Sequence, residues 1–156
     1  MSALSNFSAV KGKRGFWLMF AELDADLNGD PVLVAGPALE SQIDAIQAFA
    51  GFPLSPSYRE FVKRFGAALV GPYPVYGSGA SDAMSKDDAS VIDVTKRFRS
   101  DGWPYSDRSL VVSTDHAGNA IMLDEKGSIH RYDHDAGTIE FISSSFESFV
   151  QWCLTK

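Results

Sequence analysis

Three histidines and three aspartates stand close together near the C-terminus: Asp115-His116, His130, and Asp133-His134-Asp135. Imidazole and carboxylate are the side chains that hold transition metals or move protons near neutral pH. Residues two apart on a strand share a face, which makes His130 a neighbour of Tyr132 while His134 falls in a turn. No recognised ligand spacing joins the three histidines. Asp and His in hairpin turns also bond their own backbone, and this is the commoner reason to find them there. A metal-dependent enzyme built on these turns is one alternative reading.

Other motifs go less far. Asp24-Ala25-Asp26-Leu27-Asn28-Gly29-Asp30 opens like a calcium loop, but the twelfth position is Ala35 where a bidentate Glu is needed. Asn28-Gly29 equally suits a hairpin turn. Cys153 lies on the apolar stripe of the last helix and reads as a small hydrophobe. Ser143–Ser145 lacks the nucleophile-elbow pattern, and the glycines of 71–79 lack the Lys and Ser/Thr of a phosphate loop. No cofactor is expected. Trp103, Tyr105, Tyr73 and Tyr76 read as loop aromatics, suited to anchoring a protein partner or to closing the edge of the core.

The elements that position these residues follow from spacing. Strands are expected at Leu110–Ser113, Ala120–Leu123, Ser128–Tyr132 and Thr138–Ile142, joined by Gly-containing turns as an antiparallel meander. A helix running from Leu39 ends at Gly51. Ser55-Pro56 then opens a second helix carrying Tyr58, Phe61, Val62 and Phe65 on one face. A third is expected over Asp88–Arg99. The last carries Phe146, Phe149, Val150 and Cys153, with Ser144 and Glu147 as a capping box. Residues 1–14 read as a frayed terminus, and 15–35 as a hairpin whose apolar first strand is buried on both faces or meets another chain. The fold class is a single α+β domain, a curled antiparallel sheet flanked by helices.

At 156 residues with net charge -6 the chain suits one domain and argues against nucleic acid or an anionic membrane as partner. A single cysteine points to a reducing, cytoplasmic setting. The cationic Lys11–Arg14 and the apolar run after it lack a cleavage site, which argues against a signal peptide.

Four segments together resemble the SUKH superfamily, which includes yeast Smi/Knr-type cell-wall regulators and many bacterial immunity proteins. They are LSPSYREFVKRFGAALV (Leu54–Val70), Trp103-Pro104, Gly118-Asn119 with the strand to Asp124 followed by Tyr132 and His134-Asp135, and SSSFESFV (Ser143–Val150). The resemblance runs from Leu39 to about Leu154 and leaves out Gly15–Ala35. It implies a curled sheet flanked by helices, no established catalysis, and recognition of a protein, for a bacterial member usually a polymorphic or contact-dependent toxin. An intracellular regulatory or scaffold protein of the same fold is the alternative. Loop placement nominates Trp103, Tyr105, Asp107, Asp115, His116, Asp133, His134 and Asp135 as the partner-facing residues.

Overall fold

The computed structural model describes residues 3–84 and 90–156, with side chains from Arg14 onward. Its elements are α1 (Ala3–Leu27), α2 (Glu40–Ala50), α3 (Pro56–Phe65), β1 (Ala68–Val70), β2 (Tyr73–Val75), α4 (Val91–Ser100), β3 (Leu110–Thr114), β4 (Ala120–Leu123), β5 (Ile129–Asp133), β6 (Thr138–Ser143) and α5 (Phe146–Leu154). A 3-10 turn, Ser106–Arg108, precedes β3. The strands form one open antiparallel sheet in chain order β1 to β6, so each neighbour in sequence is a neighbour in space. The expected α+β class and C-terminal meander are therefore present.

The N-terminal expectation is corrected. Residues 15–35 form no hairpin, and the segment read as frayed is helical from Ala3. Met19, Phe20, Leu23 and Leu27 recur at helical spacing and are all buried. Asn28 (φ 48°) and Gly29 (φ 68°) take left-handed conformations that end this helix. Asn-Gly supplies positive φ to a helix end as readily as to a hairpin turn, so the dipeptide alone did not discriminate. Asp24 and Asp26 consequently sit on a helix, about 200° apart around its axis, and do not converge as a calcium loop requires.

Details at three helix starts also differ. The helix expected from Asp88 starts at Val91, capped by Ser90, whose hydroxyl accepts from Asp93 N–H; residues 85–89 lie outside the described part. Ser55 stands at the α3 N-cap without a side-chain cap bond, leaving Pro56 as the start signal. The last helix is capped by Ser145, which accepts from Ser148 N–H, so Ser144 and Glu147 form no capping box.

The core is aromatic at its centre. Phe146 on α5 packs edge-on against Tyr58 (5.1 Å between centroids) and beside Phe61 (5.3 Å), both on α3. The Tyr58 hydroxyl donates to Tyr76 O at 2.8 Å, which satisfies the one polar atom of a fully buried ring. Tyr73 and Tyr76, read as loop aromatics, are buried at and just beyond β2. Gly71 (φ 57°) lets the β1–β2 turn meet α5: a Cβ there would lie 2.5 Å from Cys153 O. The Val34 bridge to Ala68 covers the β1 edge. Among the described residues no strand pairs with the outer edge of β6.

Candidate functional site

Alternation along β5 and β6 builds a surface that the helices do not cover. The register sets His130 opposite both Met122 and Phe141, and Tyr132 opposite both Ala120 and Ile139. Directly opposed residues share a face, which brings His130, Tyr132, Ile139 and Phe141 together. Arg131 and Glu140 lie on the reverse. Ile139 is 40% exposed and Phe141 59%, adjacent apolar side chains on the last strand. The His130 ring meets Phe141 edge-on at 5.5 Å.

The loop after α4 forms the wall of this surface. Trp103 is half-buried against Phe98 (4.7 Å between centroids), Tyr132 (5.9 Å) and His134 (5.2 Å). Tyr105, exposed and at φ 67°, leans on Tyr132 at 6.2 Å. Arg99 Nε donates to Ser106 O at 2.8 Å, and Ser106 Oγ donates to Trp103 O at 2.7 Å. Those bonds fix the loop to the end of α4, so the aromatics stand on a rigid support. Between wall and strands runs an open groove of ≈360 Å³, lined by Tyr105, Arg108, Met122, Asp124, His130 and Ile139 among others. Its floor is apolar and its rim carries both signs of charge.

The nominated residues divide into two groups. Trp103 and Tyr105 adjoin Tyr132, His134 lies on Trp103, and Asp107, His116 and Asp135 are exposed in turns. Asp115 and Asp133 are occupied within the chain. Asp115 Oδ1 accepts from Ala117 N–H and Asn119 N–H, its Oδ2 accepts from Asn119 Nδ2, and its side chain is only 6% exposed beside Arg131. Asp133 Oδ1 accepts from Asp135 N–H and Ala136 N–H. Both carboxylates shape turns, as short acidic side chains do. Asn119, itself buried, links the two turns: its Oδ1 accepts from His134 N–H and meets the His134 ring.

Ile139, Phe141, Tyr132, Arg108 and Lys126 were missed. Period-two alternation of Ile139 and Phe141 was visible, but it ordinarily marks a buried face. Nothing local reveals that the helices stop short of these strands.

The histidines do not converge: His130 packs on Phe141, His134 lies on Trp103, and His116 is exposed on the β3–β4 turn. Among the described residues no group of three or more His, Cys, Asp or Glu side chains is placed to hold a metal. Cys153 is fully buried and burial pushes its thiol pKa well up, away from the thiolate a nucleophile needs. On the reverse face, the Glu140 hydrogen bond raises the Arg131 pKa against the opposing effect of burial.

An open six-stranded meander with helices over only part of its surface defines an α+β protein with one sheet margin left bare. The chain belongs to the SMI1-KNR4 cell-wall family, SUKH_5, whose family model matches residues 19–155. That match agrees with the resemblance seen in the sequence and begins inside α1. Comparison with curated proteins gives no match.

Proposed function

We propose that the chain is a non-enzymatic protein-binding module that neutralises a cognate toxin domain by direct binding. The observation that carries this reading is the bare β5–β6 face, with Ile139 and Phe141 exposed beside Tyr105 and Tyr132. A contiguous apolar and aromatic surface rimmed by charge is the usual form of a protein interface, with a few large side chains supplying most of the affinity. Asp124 and Glu125 line the groove there together with Arg108 and Lys126, and the chain's net charge of -6 would speed encounter with a cationic partner. The immunity proteins of the superfamily supply the toxin as partner class.

The family's cell-wall description favours a second reading, in which the same face binds an endogenous regulatory partner. Co-expression with toxin domains encoded beside the gene separates the two. Under the first reading the wild-type chain rescues growth and the Ile139→Asp/Phe141→Asp variant does not. Rescue by neither, with stable capture of a housekeeping protein that the double variant loses, would establish the second.

A further inference from the structure

Helix α1 carries a second surface that the fold leaves unused. Its buried side chains, Met19, Phe20, Leu23 and Leu27, occupy one side. Arg14, Leu18, Ala21, Glu22 and Ala25 recur at steps of three and four, so they form a stripe on the other side, and all five are exposed. Leu18 is 50% exposed and Trp17 beside it 56%. Trp17 is held in place by the Arg64 guanidinium, 5.4 Å from its ring, with Arg64 in turn bonded to Glu60. Among the described residues no ion pair engages Arg14 or Glu22. The family match begins at Met19, one residue beyond the exposed Trp17-Leu18 pair.

We propose that this stripe joins two copies of the chain through antiparallel pairing of α1 with its counterpart, about a two-fold axis at Leu18. Charge along the helix selects that occupant. On the stripe itself Arg14 precedes Leu18 and Glu22 follows it. Antiparallel pairing sets the basic end of each stripe against the acidic end of the other. Arg14 and Glu22 both stand four residues from Leu18, so Arg14 faces the partner subunit's Glu22 and the pair occurs twice. Such a self-complementary patch is what a two-fold interface requires. An anionic membrane lying along the helix would repel its acidic half, and a parallel pair would oppose like charges. Ala21 and Ala25 let the backbones approach, while Leu18 packs on its symmetry mate. One helix pair is a small interface, of the size that weak or transient association uses.

Sedimentation velocity of the full chain over a wide concentration range tests this. The expected result is a mass that rises from 17.0 kDa towards about twice that value. Leu18→Asp should remain at the mass of one chain. Arg14→Glu and Glu22→Arg should each raise the dimer dissociation constant by roughly tenfold, and the double reversal should recover most of the loss. All three positions are exposed, and circular dichroism checks that each variant keeps its helix content. A wild-type mass that never rises overturns the proposal, as does a double reversal no better than either single change. Co-sedimentation of a single-chain protein with phosphatidylserine vesicles, lost in Arg14→Glu, would assign the stripe to a lipid surface instead.

Discussion

Replacing Phe141 by Thr should leave the fold nearly as stable as before, although it deletes a large aromatic side chain. Phe141 is 59% exposed, so about two-fifths of its surface is covered, with the His130 ring edge-on against it. Full burial of a Phe side chain is worth about 1.5–3 kcal/mol, which limits the loss here to about 1 kcal/mol. Thr keeps the strand preference of the position, so backbone propensity adds little. Phe146→Ala is the matched control. Phe146 is fully buried among Tyr58, Phe61 and Phe149, and removing it should cost about 3–5 kcal/mol. Urea unfolding followed by tryptophan fluorescence reads both variants on one scale. In a parallel thermal scan the melting temperature should fall by roughly 2–4 °C for Phe141→Thr and by about 10 °C for Phe146→Ala. A loss of 3 kcal/mol or more at Phe141 would show that the β5–β6 face is covered in the free protein, and the reasoning that makes it a docking surface would fail.

Three further outcomes are expected. Asn119→Ala removes the acceptor shared by the His134 backbone and ring and the donor to Asp115, so stability should drop by about 1–3 kcal/mol, with amide exchange quickening in the 115–119 and 133–137 turns. Gly71→Ala combines positive φ with a Cβ directed at Cys153 O, and an unfolding free energy lower by roughly 2 kcal/mol or more is expected from urea titration. Burial raises the folded-state pKa of both Cys153 and Tyr58, so the fold favours their neutral forms. The stability tied to those neutral forms is complete below their ordinary values of 9.0 and 10.0 and is lost progressively above them. The urea midpoint should therefore decline above about pH 9, and Cys153 in the native state should resist a thiol reagent that labels it at once in urea.

The C-terminal half was legible because its signals are local. Each turn of the meander holds a Gly at or next to the position that takes positive φ, as at Gly118, Gly127 and Gly137, and hydrophobic alternation supplies the strands between. α3 was equally plain, since Pro56 and Gly66 mark its ends and Tyr58, Phe61 and Val62 its buried face. α1 was not legible. Phe16-Trp17-Leu18-Met19-Phe20 is apolar on every side, so neither period two nor period 3.6 stands out. The site was half legible. Trp103, Tyr105 and His134 could be nominated from their loops, but which aspartates are consumed by their own turns depends on side-chain geometry. Exposure of Ile139 and Phe141 depends on where distant helices end.

The central claim, recognition of a protein through the β5–β6 face, is tested most directly by parallel affinity capture from the source cells. Wild-type chain and the Ile139→Asp/Phe141→Asp variant serve as baits, with quantitative mass spectrometry as readout. One basic protein should be recovered with the wild-type bait and be absent from the variant. Equal recovery of the same proteins by both baits would contradict it.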